Sequence, residues 1–267
     1  MRSLFLSAAA LISGLLMSQP AAAHFQLIYT PEVNVEAAGT LPVKLIFWHP
    51  MENGPAMDMG QPEQFFVVHR GEKTDLKPTL KPITFKGTEG SAKAFAGALT
   101  LKRSGDYIMV AIPAPYLEKS EDVFIQQITK SFVNRSGLPT DWNTAVGLPA
   151  EIVPLNKPTN VIAGSTFSGQ VLSDGKPVAG AEIEVEYMAA LPDMQGDGTA
   201  KPTTGPLPGG ALVAVTDANG VFTFGVPKAG FWGFAALGVG PATSYQNKKL
   251  SQDAVIWVRA YDLPGAP

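Results

Sequence analysis

The sequence predicts an all-β protein built from two tandem β-sandwich domains of the immunoglobulin or prealbumin-like kind. Short segments rich in β-branched and aromatic residues recur along the chain, and such residues favour strands. The 27 Gly and 23 Pro residues are many for a helical protein and typical of short strands joined by turns. In the second half of the chain, short alternating strands separated by turn signals describe a sandwich.

The first predicted domain covers residues 24–155 and follows a signal peptide at residues 1–23. Its predicted strands are Phe25–Tyr29, Leu41–Trp48, Gln64–His69, Ala92–Leu101, Gly105–Ile112 and Val123–Val133. The last segment fits a helix or a strand by pattern, and its β-branched and aromatic residues favour the strand. We expect the segments before and after Lys102–Gly105 to form a hairpin.

The second predicted domain covers residues 156–267. Its predicted strands are Phe167–Leu172, Ala181–Tyr187, Ala211–Thr216, Val221–Val226, Phe231–Leu237 and Ala254–Ala260. Asp174-Gly175 is a strong tight-turn signal, and Asp217–Gly220 predicts a second hairpin. Residues 190–210, rich in Gly, Pro and Thr, predict a mobile loop. Within that loop Asp193–Gly198 faintly resembles a calcium loop, but Gln195 and Thr204 stand where acidic ligands belong.

The amino terminus has the pattern of an export signal. Arg2 gives a positive start, Leu4–Met17 is an apolar run, and Ala21-Ala22-Ala23 satisfies the small-residue cleavage rule. The apolar run is too short to span a bilayer, which takes about 20 residues. Since no other long apolar segment follows, we expect a soluble mature protein that begins at His24 and has no stable membrane insertion.

The composition excludes several classes of partner and site. The chain has 20 Lys and Arg against 23 Asp and Glu, a formal net charge of −3, and no long basic run. Nucleic acid is therefore not an expected partner, because phosphate binding needs clustered Lys and Arg. With no Cys in the chain, thiolate zinc sites and iron–sulfur clusters are excluded. Any metal site must use nitrogen, oxygen or thioether ligands.

All three histidines, His24, His49 and His69, lie between residues 24 and 69. As the first mature residue, His24 would present an α-amine and an imidazole that can chelate one metal ion. If the first two strands pair antiparallel, His24 and His49 meet at one edge of the sheet. His69 ends the third strand: a simple hairpin would place it at the opposite end, and a crossing to another sheet would return it to the same end.

The connection from His49 to Gly60 concentrates further candidate ligands. It contains the carboxylates of Glu52 and Asp58 and three methionines. Imidazole suits Ni(II), Co(II), Cu(II) and Zn(II), whereas thioether favours Cu(I). We therefore predict a divalent transition-metal site with His24, His49 and His69 as ligands, and with Glu52 and Asp58 completing the shell or holding the imidazoles. The methionines fit gap filling against the core better than ligation.

Two segments of this connection, His49–Gly54 and Met57–Gly60, resemble the hallmark loop of a periplasmic bacterial (NikK-like) family of unknown-function proteins associated with nickel and cobalt uptake. The similarity continues through less specific turn motifs. These are Glu151–Leu155, Gly169–Ala181 and Thr216–Phe222. The resemblance implies a periplasmic protein that captures or delivers Ni(II) or Co(II), with an inner-membrane metal transporter as its partner.

Two other functions remain open from the sequence. An N-terminal His chelate with a second His also describes the copper site of oxidative polysaccharide-cleaving enzymes, which are β-sandwiches too. A metal-free structural or adhesive module is the other alternative. The sequence contains no nucleophile elbow, phosphate loop or dinucleotide fingerprint. We therefore expect a binding protein rather than an enzyme.

Overall fold

A computed structural model describes residues 25–51, 54–88, 90–205 and 212–265. The predicted signal peptide (residues 1–23), His24 and Glu52 lie outside the described residues. Among those described, the chain is all-β, with one 3-10 helix at Lys77–Thr79 and no α-helix. No helix in the described ranges is both long and apolar enough to cross a membrane.

The strands in chain order are β1 (Phe25–Tyr29), β2 (Asn34–Val35), β3 (Gly39–Trp48), β4 (Ala56–Met57), β5 (Gln64–His69), β6 (Glu72–Asp75), β7 (Lys81–Gly87), β8 (Gly90–Leu101), β9 (Gly105–Ile112), β10 (Tyr116–Glu118), β11 (Val123–Arg135), β12 (Ala150–Pro154), β13 (Val161–Ile162), β14 (Ser165–Ser173), β15 (Lys176–Pro177), β16 (Glu182–Tyr187), β17 (Leu212–Val215), β18 (Val221–Val226), β19 (Gly230–Ala236), β20 (Ser244–Tyr245) and β21 (Lys248–Tyr261). They form three sheets, which confirms the predicted all-β sandwich class.

The amino-terminal sheet has the strand order β1-β3-β8-β7, with β4 beside β3. β1 pairs antiparallel with β3, and Phe25 lies opposite Trp48, as the sequence predicts. Both faces of this sheet are buried at β1 and at the carboxyl-terminal part of β3. Leu45 and Phe47 of β3 pack in one core with Phe65 of β5, whereas Trp48 packs in another core with Trp257 of β21.

The central sheet runs through both halves of the chain. Its strand order is β17-β16-β19-β21-β11-β9-β5-β6. The two halves join where β21 pairs in parallel with β11, with Thr129 opposite Val255. The predicted division into two domains at residue 155 is not confirmed, because this sheet and its cores continue across that boundary.

The carboxyl-terminal sheet consists of β12, β14, β15 and β18 and covers the other face of the central sheet. Phe167 of β14 packs against Phe234 of β19, with ring centroids 4.9 Å apart. A buried ion pair also joins these two layers, since Lys130 Nζ lies 2.8 Å from Glu151 Oε1. Burial lowers the pKa of Lys130, and the Glu151 carboxylate opposes that shift.

Two predicted hairpins are wrong, because each connection crosses between sheets. The turn after Leu101 leads from β8 in the amino-terminal sheet to β9 in the central sheet, and the Asp217–Gly220 turn leads from β17 in the central sheet to β18 in the carboxyl-terminal sheet. By contrast, Asp174 (φ 45°) and Gly175 (φ 74°) form a two-residue turn between paired strands. Turn residues therefore mark where the chain reverses, but not which sheet it enters.

The segment that resembles a calcium loop holds an internal cation. Lys44 projects from β3 and is 4% exposed. Its ammonium donates to Asp193 O (2.6 Å), to Gly196 O and to Asp197 Oδ1 (3.0 Å). The ammonium thus ties this loop to the amino-terminal sheet.

Candidate metal site

The His49 turn, of which residues 49–51 and 54 are described, lies at one end of the β1–β3 pair. The pairing of Phe25 with Trp48 brings the amino end of β1 beside the carboxyl end of β3, where His49 follows. Gly54 N donates to His49 O (3.0 Å), and Trp48 Nε1 donates to Gly54 O (2.9 Å). A Cβ on Gly54 would lie 3.2 Å from His49 Cβ, so the close turn favours glycine.

Residues of the carboxyl-terminal half of the chain also form hydrogen bonds with the His49 turn. Ala189 N donates to Pro50 O (3.1 Å), and Met51 N donates to Glu186 Oε2 (3.4 Å). His49 is 4% exposed and Glu186 is 6% exposed. The histidine and the carboxylate are thus both enclosed at the contact between the two halves.

Asp58 lies on the amino-terminal flank of this end. Its Oδ1 accepts a hydrogen bond from Lys93 N (2.8 Å). Burial raises the pKa of the Tyr116 hydroxyl, and the negative charges of Glu118 and Asp58 raise this pKa further. Both carboxylates are therefore close enough to Tyr116 to act on its charge.

A small pocket opens beside the amino end of β1. It encloses about 240 Å³, part of which is open to solvent. Its lining residues are Gln26, Phe47, Met59, Gly60, Pro113, Ala114, Tyr116, Ile125 and Gln127. The wall is fixed by side chains of the central sheet: Gln26 N donates to Gln127 Oε1 (2.8 Å), and Trp257 Nε1 donates to Gln26 O (2.9 Å).

The methionines of the 49–60 connection are buried. Met57 and Met59 belong to the core between the amino-terminal and central sheets, and Met51 is 7% exposed. Met59 N also donates to Lys93 O (3.0 Å), which fixes the strand-like path of the loop. These contacts agree with the predicted gap-filling role of the methionines.

The structure does not bring His69 to the His49 turn. The short link from Leu101 to Gly105 places the start of β9 at the Gly39 end of β3, because Leu101 pairs with Gly39. β5 is antiparallel to β9, so His69 lies at that same end. β3 has 10 residues and separates the two ends by about 30 Å, at roughly 3.3 Å per residue.

His69 has a packing role in this fold. Its ring stacks on Tyr107, with centroids 4.0 Å apart and planes 9° from parallel. Nδ1 lies 2.8 Å from Asp106 O and donates to it, because a carbonyl oxygen can only accept. Nε2 is buried without a hydrogen-bond partner among the described residues.

The structure describes three of the five predicted ligands, and they do not all lie together. His49 and Asp58 lie toward the same end of the molecule, whereas His69 lies at the other. Ligation by His24 and Glu52 stays a prediction, since both are outside the described residues. Within the described ranges, no three His, Asp or Glu side chains come close enough to hold a metal ion.

The acidic face of β16 was not predicted from the sequence. Glu182, Glu184 and Glu186 alternate along this strand, so their side chains share one face. Burial raises the pKa of Glu184 to about 7, and the negative charges of Asp253 and Glu182 add to this shift. The alternation of Glu in AEIEVEY was the available signal, but it does not show that this face meets the His49 turn.

The fold and this site define an all-β sandwich protein with a buried histidine turn flanked by carboxylates. Residues 21–240 match the family model described as Domain of unknown function (DUF4198), and the chain belongs to this family. No curated protein matches the chain.

Solved structures that match the chain include the D0-D1 domain of Intimin, with 15% identity, a TM-score of 0.23 and coverage of 86% of this chain and 96% of that one. The Yersinia pseudotuberculosis adhesin InvE has 13% identity, a TM-score of 0.24 and coverage of 87% and 58%. The fibronectin(III)-like modules of Clostridium thermocellum CbhA have 10% identity, a TM-score of 0.20 and coverage of 88% and 95%. At such values the matches say nothing about function.

Proposed function

We propose that this protein is a periplasmic metal-binding accessory protein that captures or delivers Ni(II) or Co(II) for uptake. One observation carries the proposal: the pairing of Phe25 with Trp48 brings the amino end of β1 beside the His49 turn. A mature chain that begins at His24 would carry its α-amine and imidazole into the same neighbourhood. Three nitrogen donors, two from His24 and one from His49, suit Ni(II) and Co(II).

The charges around this end favour a cation. Burial, and after it the charges of Glu118 and Asp58, raise the pKa of Tyr116 on the amino-terminal flank. The Glu186 carboxylate accepts from Met51 N on the other flank. Carboxylates on both sides produce a negative potential, which attracts a divalent ion. The NikK-like resemblance of the His49–Gly54 segment supports nickel or cobalt as that ion.

The surroundings of the methionines argue against a thioether copper site. Met57 and Met59 pack in the core with Phe65 and Phe95. A sulfur atom committed to core packing is not presented for Cu(I), so nitrogen and oxygen remain the supported ligands. Because the amine and imidazoles bind in their neutral forms, affinity should weaken as the pH falls through about 8 to 6.

The deciding experiment is a titration of the protein that begins at His24 with Ni(II), Co(II), Cu(II) and Zn(II). A matched control carries one extra residue before His24, which blocks the amine chelate. We expect tight Ni(II) and Co(II) binding that is lost in the control. If neither form binds any metal, the proposal fails and a metal-free interaction module replaces it.

The copper enzyme alternative has its own readout in the same experiment. If Cu(II) binds far more tightly than Ni(II) and the copper-loaded protein consumes peroxide with a polysaccharide, the oxidative enzyme is favoured over metal uptake. Copper binding without such turnover favours a copper carrier. The transporter partner is tested by growth under nickel or cobalt limitation, where loss of His49 should lower metal uptake.

A further inference from the structure

We propose that β17, at one edge of the central sheet, accepts an extended lysine- or arginine-bearing segment of another protein as an added antiparallel strand. This inference goes beyond metal binding and does not depend on it. Three observations carry it: outward-pointing backbone groups on β17, two exposed valines, and the acidic side chains of the neighbouring strand β16.

The backbone of β17 has one side open for pairing. β17 pairs antiparallel with β16, and the path of the central sheet ends at β17 among the described residues. Just after β17, Thr216 N donates to Ala181 O (3.0 Å), so the N–H of Thr216 points toward the β16 side. This direction alternates along an antiparallel strand, so the N–H and C=O groups of Val213 and Val215 point away from β16.

The same two valines also expose their side chains. Val213 is 49% exposed and Val215 is 62% exposed. Leu212 and Ala214 point to the other face, where they pack against the core between the central and carboxyl-terminal sheets. These inner contacts hold β17 in position, while an added strand would pair with its outward backbone groups and cover its valines.

The opposite edge of the central sheet is protected against such pairing. Three of the four residues of β6 (Glu72–Asp75) are charged, and all four are exposed. Charged side chains on an edge strand discourage pairing with another chain. β17 (Leu212–Val215) contains neither a charged residue nor a proline, so its edge lacks this protection.

The charge beside the valines selects the kind of segment that fits. Glu182 lies opposite Val215 and Glu184 lies opposite Val213, so carboxylates and valines share one face of the sheet. After burial, the negative charges of Asp253 and Glu182 raise the pKa of Glu184, so this face has a negative potential. An added strand would lie about 10 Å from β16, which is two strand spacings. A lysine or arginine stem can lie along the valines and carry its charge to these carboxylates.

These features define the sequence pattern of the partner. In an antiparallel added strand, the residues opposite Val213 and Val215 would be basic, and the alternate residues would be apolar and lie beside Leu212 and Ala214. Main-chain hydrogen bonds would supply affinity, and the basic side chains would supply specificity. A second copy of β17 offers no basic residue and does not match this pattern.

The test measures the binding of two short capped peptides to the metal-free protein, one alternating valine with lysine and one alternating valine with glutamate. We expect the lysine peptide to bind at least about 5-fold more tightly at low salt, and the difference to shrink as salt is added. Glu182→Lys should abolish this preference, whereas Glu72→Lys, on the exposed strand β6, should preserve it. Both substitutions change the net charge equally, so the comparison separates the β17 edge from a general attraction between an acidic protein and a basic peptide.

Backbone methylation of the lysine peptide tests strand pairing without altering the protein. Residues opposite Val213 and Val215 would exchange hydrogen bonds with them, so N-methyl groups on the lysines should abolish binding and N-methyl groups on the valines should not. Equal binding of the lysine and glutamate peptides, equal effects of the two substitutions, or equal effects of the two methylations overturns the inference. Self-association of the protein that excludes the peptide would assign the edge to a second copy and overturn it as well.

Discussion

His49 and His69 both stand at the end of a strand in the first half of the chain, yet their surroundings differ. The His49 turn accepts a hydrogen bond from Ala189 N, donates one to Glu186 Oε2 and has carboxylates on two flanks. His69 is instead stacked on Tyr107 and bound to the backbone of Asp106. A histidine at a strand end therefore becomes a candidate ligand only where the topology gathers other donors around it.

The difference extends to the carboxylates at each end. Asp106, 1% exposed near His69, accepts from Asn134 Nδ2, Thr140 N and Thr140 Oγ1. These bonds commit its oxygens to holding the loop at Thr140 against the sheet. Glu186 accepts from Met51 N within the contact that orients the His49 turn. We thus expect the His69 end to govern stability and the His49 end to govern metal affinity.

The largest effect should follow Asp106→Ala at the His69 end. The substitution removes the acceptor of Thr140 N–H and one of the two acceptors of the buried Asn134 amide, which keeps its bond to Leu138 O, and each such loss costs roughly 1–3 kcal/mol. We expect the free energy of unfolding to fall by about 3 kcal/mol in urea titrations, while Ni(II) affinity of the folded protein stays unchanged. A loss of metal affinity at full stability would contradict the separation of the two ends.

His49→Ala should produce the converse result. Losing a direct ligand should weaken Ni(II) binding by more than about 100-fold, beyond the usual effect of losing an outer partner. Ni(II) titration measures this, with His69→Ala as the matched control of equal chemistry at the other end. Equal losses in the two variants would show that the described separation does not determine ligation.

Glu184 lies on β16, the strand that contacts the His49 turn, and it should make the free energy of unfolding depend on pH. The pKa of this carboxyl is about 7 in the folded protein and about 4.5 in the unfolded chain. Between these values the folded state binds more protons, so stability falls as the pH rises from 4.5 to 7 and then levels off. Glu184→Gln, which stays neutral, should be about 1–2 kcal/mol more stable than the unaltered protein at pH 8 and equal to it at pH 4.5.

Urea titrations of the metal-free proteins at these two pH values check that expectation. The difference between the two proteins isolates Glu184, because every other ionisable group is the same in both. If Glu184→Gln lowers stability at pH 8, the carboxylate is stabilised in the fold and the direction of its pKa shift is contradicted.

Much of the fold could be predicted because strand positions are local. Phe25–Tyr29, Gln64–His69 and Gly105–Ile112 have the predicted bounds, since alternation and β-branched residues suffice to define them. The partners of β8 and β9 could not be predicted from a turn signal, because a short link can join strands of one sheet or of two sheets. Sheet membership depends on the packing of distant segments.

The site was predictable only in its amino-terminal part. His49 stands in a dense cluster of possible ligands, and its proximity to the start of β1 follows from one antiparallel pair. The contact of Glu186 with the His49 turn could not be predicted from the sequence, because it depends on the central sheet joining both halves. The contacts of Lys44 could not be predicted either, because a single Lys within an apolar strand does not indicate which distant loop binds its ammonium.

The smallest effect is expected for His69→Phe. Phenylalanine keeps the stacked ring against Tyr107 and loses the Nδ1 bond to Asp106 O, which contributes about 0.5–1.5 kcal/mol net. It also removes the buried Nε2 atom, so part of that loss is offset. We expect less than about 1 kcal/mol of destabilisation in urea and unchanged Ni(II) affinity. Weakened metal binding with preserved stability would make His69 a ligand after all, and would require the two ends of the amino-terminal sheet to act on one ion.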